Sequence, residues 1–297
     1  MTALAMRLAA AGAGSAAEPA VVVVPRVQAD PAMNAPQAGW DAAASIRIDE
    51  PVGEAARAPV RLTTDVSILR TEDALALRFV CTNPSAPNFE TRERDRDAEA
   101  YDDESVEVFI DVRDGSDYYH LVVNASGSVY DGRKLNRSWN GDWTAAVRQS
   151  GHGWEATVRI PFQTLGGPPA PGTYWLLNIC RNARGPDGQW ERSAWIAPGY
   201  HRPLGLFCFG DVDARPLFRD LHRALANLQR FETVGAAGAG ASISASVATL
   251  ESRIDDPSRV APERFAGLLA AADEVSRTIE PSVQQAVMRA ILETPRP

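Results

Sequence analysis

The densest group of chemically useful side chains is an acidic stretch from Glu99 to Asp117, which reads EAYDDESVEVFIDVRDGSD. Its carboxylates fall at the start of a predicted strand and again in the turn that follows. Asp111, Asp114 and Asp117 are candidates for a structural Ca²⁺ site, because Ca²⁺ takes about six to eight oxygen ligands. The spacing is not that of an EF-hand, and a solvated acidic edge explains the same pattern.

The acids of residues 99–107 could instead serve a glycoside hydrolase as general acid and base. That reaction needs two carboxyl groups flanking one glycosidic bond, one of them with a raised pKa. A row of neighbouring acids does not by itself meet this requirement. The four histidines are scattered, and neither a Gly-x-Ser-x-Gly nor a His-Glu-x-x-His motif occurs. Hydrolysis therefore stays an alternative hypothesis.

Tryptophan is the second residue type that could recognise a ligand. Trp154 and Trp175 are in phase with alternating apolar residues, which predicts that both are buried. The remaining rings of this region lie in or beside turn-rich segments: Trp139, Trp143, Trp190 and Trp195. A ring exposed there would suit a sugar, whose C–H face stacks on an aromatic ring while its hydroxyls bind polar side chains. Coverage of a sheet edge is the alternative use of these rings.

Composition excludes several classes of function. The chain has 297 residues, of which 45% are hydrophobic and 23% charged, and its net charge is −8. These values are typical of a globular protein. The chain lacks the basic stripe of a nucleic-acid-binding protein, and it lacks a run of about 18 apolar residues that could span a membrane. Its three cysteines contain no Cys-x-x-Cys pair and can form at most one disulfide.

Residues 1–19 are interpreted as a leader or a weak signal peptide. One basic residue, Arg7, precedes a short run of Leu and Ala, and the triplet 15–17 (Ser-Ala-Ala) suits a small-residue cleavage site. This interpretation predicts an extracellular or periplasmic protein. A disordered Ala-rich leader is the alternative.

Residues 20–212 have the pattern of a β-sandwich. Apolar residues alternate with their neighbours along 75–81, 106–112 and 154–160, which is the period of a half-buried strand. Turn signals such as Asp114-Gly115 and Asn140-Gly141 separate these segments. Many short strands with regular turns predict a mainly β fold, an antiparallel sandwich with jelly-roll-like connections.

The period changes to that of helices in residues 213–297, which predicts a small helical appendage. Three helices are expected, at 217–228, 265–279 and 283–292, with a flexible Gly/Ala-rich linker at 235–242. Such an appendage could mediate self-association or bind a partner domain. The pattern does not decide between these roles.

Several motifs of the sandwich region resemble, in chain order, those of the family 9 carbohydrate-binding modules and their DOMON-like relatives. Trp40-Asp-Ala-Ala follows a short acidic lead, and Val106-Glu-Val-Phe follows an acid-rich entry. Trp154 opens a segment that ends Ile160-Pro-Phe, and Asn178-Ile-Cys-Arg resembles a closing strand. The resemblance covers about residues 20–212. It implies a non-catalytic β-sandwich that binds a glycan in polysaccharide recognition or carbohydrate catabolism.

The resemblance also implies where the glycan binds. Characterised members hold a sugar between two aromatic rings, and some carry structural Ca²⁺. Here one ring would be Phe89 or Tyr101, and the other Trp195 or Tyr200. The polar groups that contact the sugar hydroxyls would be Arg181, Asn182, Glu99 and Asp103.

Two further consequences of the resemblance concern cofactors and alternatives. Some DOMON-like relatives bind haem through Met, His or Lys ligands. No methionine lies between Met33 and Met288, so a haem site in this region would have to use His120, His152 or His201, and no haem is expected. An interaction module that keeps the sandwich but has lost sugar binding is the main alternative, because one fold hosts many functions.

Overall fold

The structure, a computed structural model, describes residues 20–28, 31, 39–52, 59–85, 91–113, 118–134, 136–197, 205–232 and 239–293. The side chains of residues 231, 232, 239, 280 and 283–293 are not described. The described residues form thirteen strands and three helices. The strands are β1 Val21–Val23, β2 Ala44–Ile48, β3 Glu50–Pro51, β4 Thr64–Arg70, β5 Ala74–Thr82, β6 Ser105–Asp111, β7 Tyr119–Asn124, β8 Val129–Arg133, β9 Thr144–Ser150, β10 Gly153–Pro161, β11 Tyr174–Arg184, β12 Trp190–Ala194 and β13 Gly205–Cys208. The helices are α1 Arg215–Glu232, α2 Ala239–Glu251 and α3 Pro262–Glu293.

Two sheets form the β-rich part of the chain. The larger sheet has eight strands in the order β1-β13-β11-β6-β7-β8, with β12 beside β11 and β3 beside β12. The smaller sheet has the order β2-β4-β5-β10-β9. All pairings are antiparallel except that of β1 with β13, which is parallel. The predicted fold class, a mainly β sandwich followed by helices, is confirmed.

The main hydrophobic core lies between the two sheets and contains the residues that the alternation predicted. Leu77 and Phe79 of β5, Val108 of β6, and Trp154 and Val158 of β10 are all buried in it. Each fully buried side chain of this kind stabilises the fold by roughly 1.5–3 kcal/mol relative to an exposed one. The intervening residues point to the outer faces of the sheets, since successive side chains of a strand alternate.

This alternation determines which residues of β11 can meet a ligand. Trp175, Leu177 and Ile179 face the core, and Arg181 continues the same series. Asn182 therefore points to the outer face of the larger sheet. The two neighbours pair with Val106 and Ser105 of β6, which alternate in the same way.

The chain divides into two compact units. One spans Ala20–Gly210 and contains both sheets. The other contains residues 211–297, where Leu225 and Leu228 of α1, Ile243 of α2 and Ile279 of α3 form a shared apolar cluster. None of the described helices is both long and apolar enough to cross a membrane.

The helices depart from the prediction in two places. Helix α2 was not predicted, and its first turn occupies 239–242, the second half of the expected linker. Helix α3 is one helix of 32 residues where two were expected. It continues through Pro281, which lacks the backbone N–H and so removes a single hydrogen bond from the helix.

The three cysteines of the chain, Cys81, Cys180 and Cys208, are buried thiols.

Candidate functional site

A cleft of about 420 Å³ opens on the outer face of the larger sheet, where β6 begins and β11 ends. Three parts of the chain line it: the segment 91–104 that precedes β6, the end of β11, and strand β12. The lining residues are Arg92, Arg94, Glu99, Tyr101, Asp102, Asp103, Asn182, Trp190 and Arg192. Four of the eight predicted sugar contacts, Glu99, Tyr101, Asp103 and Asn182, are thus brought together by the fold.

Trp190 is an aromatic residue of the cleft that the family resemblance did not select, although it is one of the four turn-region tryptophans. It begins β12, pairs with Arg184 of β11, and is 39% exposed. The Arg184 guanidinium lies over one face of the indole, 5.9 Å from the ring centroid. Among the described residues only Trp190 and Val23 are large apolar side chains with this degree of exposure. The sequence had placed Trp190 beside a turn, but it could not place the ring opposite the 91–104 segment.

Asp103 is a buried anion at the wall of the cleft. Arg94 holds both of its oxygens, with Nε–Oδ2 and Nη2–Oδ1 distances of 2.6 and 2.9 Å, and Asn124 Nδ2 donates to Oδ2 at 3.0 Å. Burial opposes the charge on this carboxylate. The hydrogen bonds from Arg94 and Asn124 outweigh burial and hold the pKa of Asp103 below its ordinary value. Asp103 is therefore an ionised acceptor at neutral pH, with most of its capacity already used by the protein.

Asn182 lies almost fully buried at the floor of the cleft. Its Nδ2 donates to Glu107 Oε1 at 2.6 Å and to Ser105 Oγ at 3.2 Å. Its β12 neighbour across the strand pair is Arg192, whose side chain is exposed. In the part of the chain that the structure describes, no carboxylate forms an ion pair with the Arg192 guanidinium.

The opposite wall carries exposed acids and one ring. Glu99 and Asp102 are exposed, and Glu99 lies 3.8 Å from Arg137. Tyr101 is half-buried and packs edge-on against Tyr130, with 5.5 Å between ring centroids. Burial raises the pKa of the Tyr101 hydroxyl, so it stays protonated and can both donate and accept hydrogen bonds. The cleft thus combines hydrogen-bond donors and acceptors with an exposed indole.

The prediction that Arg181 contacts a sugar is wrong in this structure, because Arg181 faces the core and has no exposed surface. Its guanidinium forms an ion pair with the equally buried Glu104, donates to Thr64 Oγ1 at 3.0 Å, and lies 5.3 Å from the Trp154 ring centroid. Glu104 Oε1 also accepts from Trp154 Nε1 at 3.2 Å. The alternation that buries Ile179 places Arg181 on the same inner face.

Trp195 also lies away from the cleft. It packs half-buried against the main core and across Gly205, where a Cβ atom would lie 2.2 Å from its ring. Glycine at 205 is what allows this approach, so the ring has a packing role. The other two predicted rings, Phe89 and Tyr200, lie outside the described residues.

Asp103 and Glu104, the adjacent acids of the run, are not placed as a pair of catalytic carboxylates. Glu104 is on the inner face and Asp103 on the cleft side, so the two neighbours cannot flank one bond. Glu107 is buried and hydrogen-bonded to His120 and Asn182.

The calcium prediction rests mainly on residues that the structure does not describe. Within the described residues, no group of three or more His, Cys, Asp or Glu side chains could hold a metal ion. Asp111 accepts a hydrogen bond from the Arg113 backbone N–H at 2.7 Å, while Asp114 and Asp117 lie outside the described residues. Those ligands stay a prediction.

Comparison with known proteins assigns the sandwich. Residues 34–198 match the family model described as "Carbohydrate family 9 binding domain-like". A proposed carbohydrate-binding protein from Bacteroides uniformis ATCC 8492 has a similar solved structure, with a TM-score of 0.50 and 14% identity; the match covers 64% of this chain and 99% of that one. No protein with a curated description matches the chain.

Two further solved structures come from a family 9 carbohydrate-binding module of Caldicellulosiruptor kristjanssonii. The complex with cellotriose gives a TM-score of 0.48 at 14% identity, and the match covers 63% of this chain and 92% of that one. The complex with glucose gives a TM-score of 0.47 at 15% identity, covering 63% and 94% respectively.

Proposed function

The chain belongs to the carbohydrate family 9 binding domain-like family, a family of non-catalytic binding modules, and from this membership we propose that it binds a glycan in the cleft beside Trp190. We place the glycan site here because the exposed indole of Trp190 lies in a cleft that is lined mainly by polar and charged side chains. A concave site that combines an aromatic side chain with a few convergent polar groups is where a small ligand commonly binds.

The chemistry of the cleft suits a sugar ring. The face of the Trp190 indole that is turned away from Arg184 would stack on the C–H face of the sugar, as aromatic rings do with apolar patches of a ligand. Arg192 would donate to ring or hydroxyl oxygens, and Asp102 and Glu99 would accept from hydroxyls. Hydrogen bonds that involve a charged partner are about twice as strong as neutral ones. The biological role that we propose is polysaccharide recognition, outside the cell or in the periplasm.

The test is calorimetric titration of the full chain with a panel of soluble oligosaccharides that includes glucose, cellotriose, xylotriose and mannotriose. Trp190→Ala is expected to weaken binding about tenfold or more, because the stacking face is lost, and Trp190→Phe should recover part of the affinity. Arg192→Ala should weaken binding, whereas Arg148→Ala, an exposed arginine of β9 on the other sheet, should not. A folded wild-type chain that binds no glycan, or a Trp190→Ala variant that binds as wild type, would overturn the proposal.

A further inference from the structure

A chain of buried polar side chains lies directly beneath the cleft. His120 Nε2 is 2.6 Å from Glu107 Oε2, and Glu107 Oε1 accepts from Asn182 Nδ2 at 2.6 Å. Asn182 ends this chain at the floor of the cleft. Glu107 is 2% exposed, so its carboxylate is buried beside His120 and Asn182.

The surroundings of Glu107 are those of an apolar core. Its partner across the strand pair is Cys180, which clusters with Phe109 and Ala194 on the same outer face of the sheet. Burying a carboxylate among such side chains is costly unless every oxygen is hydrogen-bonded, and apolar residues of similar volume often replace buried ion pairs without loss of stability. The hydrogen bonds that Glu107 makes to its polar neighbours therefore account for an acid at this position, and of those neighbours Asn182 lines the cleft.

We propose that Glu107 and His120 are positioning residues that hold the Asn182 carboxamide in one orientation toward the bound sugar, an inference that rests on the proposed function. An ionised carboxylate only accepts hydrogen bonds, so it selects the N–H₂ end of the Asn182 amide and excludes the flipped amide. With Glu107 ionised, His120 donates to it through the hydrogen on Nε2.

His120 is itself held in place by aromatic rings. Its imidazole stacks on Phe109, with 4.3 Å between ring centroids and an interplanar angle of 13°, and it meets Tyr130 edge-on at 5.3 Å. These contacts fix the direction of the Nε2–H bond toward Glu107. The rings thereby restrict the orientation of His120 and, through Glu107, the orientation of the Asn182 amide in the cleft.

The test is a double-mutant cycle on glycan affinity in the full chain. The probe is cellotriose, or, where cellotriose is not bound, the tightest ligand of the panel above. Asn182→Ala and Glu107→Met should each weaken binding about tenfold, which corresponds to the loss of one well-placed hydrogen bond. In the Asn182→Ala background, Glu107→Met should have no further effect, because Glu107 acts through Asn182.

Conservative variants separate positioning from a merely structural role. Glu107→Gln keeps an acceptor oxygen for Asn182 and should bind within about threefold of wild type. His120→Gln keeps a donor near the Nε2 position and should likewise bind well, whereas His120→Ala should lose affinity, so the histidine pair carries the test if Glu107→Met does not fold. Glu155→Gln, which disturbs an ion-pair network on the other sheet, should leave affinity unchanged.

Two outcomes would overturn the inference. One is wild-type affinity in folded Glu107→Met and His120→Ala while Trp190→Ala loses binding, which leaves the proposed function intact. The other is a loss of affinity on Glu107→Met that is as large in the Asn182→Ala background as in the wild-type chain. Unchanged binding in Trp190→Ala would instead contradict the proposed function itself.

Discussion

At the scale of single residues, the buried Arg181–Glu104 ion pair links the two sheets. Arg181 belongs to β11 of the larger sheet, and its partners Thr64 and Trp154 belong to β4 and β10 of the smaller one. Glu104 adds hydrogen bonds to Trp154 and Asn83. Both charges are removed from water, so the pair is stable only as long as each partner remains in place.

We therefore expect Arg181→Met to act on stability. Leaving Glu104 buried without its guanidinium should lower the free energy of unfolding by roughly 3–5 kcal/mol. Denaturant unfolding measures this loss, and the double variant Arg181→Met/Glu104→Leu should recover part of it. A stable Arg181→Met chain that no longer binds glycan would contradict this assignment and restore the original prediction of a sugar contact.

Asp103 gives a prediction that depends on pH. Hydrogen bonds lower the pKa of Asp103 in the folded chain below its value in the unfolded chain. At pH values between these two pKa values, the folded state therefore binds fewer protons than the unfolded state. Its stabilising contribution is fully present above the unfolded carboxyl pKa of about 3.9 and is lost as the pH falls through the folded pKa. The difference in unfolding free energy between wild type and Asp103→Asn should thus be constant near neutrality and shrink in acid.

The exposed neighbour Asp102 provides the control for that measurement. Asp102→Asn should change the unfolding free energy little at any pH, because surface substitutions away from buried networks are typically within about 0.5 kcal/mol. Denaturant curves for wild type and both variants between neutral and acidic pH would suffice. A difference for Asp103→Asn that stayed constant down to the acid limit would show that Asp103 has no lowered pKa.

The site could be predicted in part at this scale. Glu99, Tyr101, Asp103 and Asn182 were reached through the family resemblance, and the cleft unites them. Strand alternation, which is visible in the sequence, was sufficient to place Arg181 on the inner face. Trp190 could not be selected from four turn-region tryptophans, because its position opposite 91–104 depends on the β11–β12 register, a long-range property of the fold.

At the scale of elements, prediction succeeded where one face of a segment is buried against many neighbours. The alternation along β5, β6 and β10 is visible because each strand packs one face on the common core. Helix α2 was missed because its serines, its β-branched residues and a glycine are weak helix formers and offset its alanines. Its signal was the spacing of Ile243, Val247 and Leu250, which are the buried positions of that helix.

The buried stripe of α2 implies that this helix is held by packing rather than by its own propensity. Leu250→Ala should cost roughly 2–5 kcal/mol within the helical unit, as large-to-small core substitutions do. Hydrogen exchange is expected to accelerate at amides of α1 and α3 and to stay unchanged in β10. Ser246→Ala, at an exposed position of the same helix, is the matched control. Equal protection in Leu250→Ala and wild type would show that α2 does not contribute to the core of that unit.

At the scale of the whole molecule, recognition and the helices are assigned to different units. Every residue that lines the cleft belongs to Ala20–Gly210, and this unit has its own large hydrophobic core. A chain ending at Gly210 should therefore fold and bind an oligosaccharide within about twofold of the full chain, as an independently folding domain does. Calorimetry on both chains measures this directly.

The helical unit should then reveal its role through polymers rather than oligosaccharides. If residues 211–297 mediate self-association, light scattering will show a larger mass for the full chain than for the shortened one. An associated pair of chains carries two clefts, so the full chain should be retained on an insoluble polysaccharide about a hundredfold or more strongly than the shortened one. Its affinity for a soluble trisaccharide should be unchanged. Equal masses and equal retention would exclude self-association as the function of the helices. A loss of trisaccharide binding on shortening would contradict the assignment of the cleft to the sandwich alone.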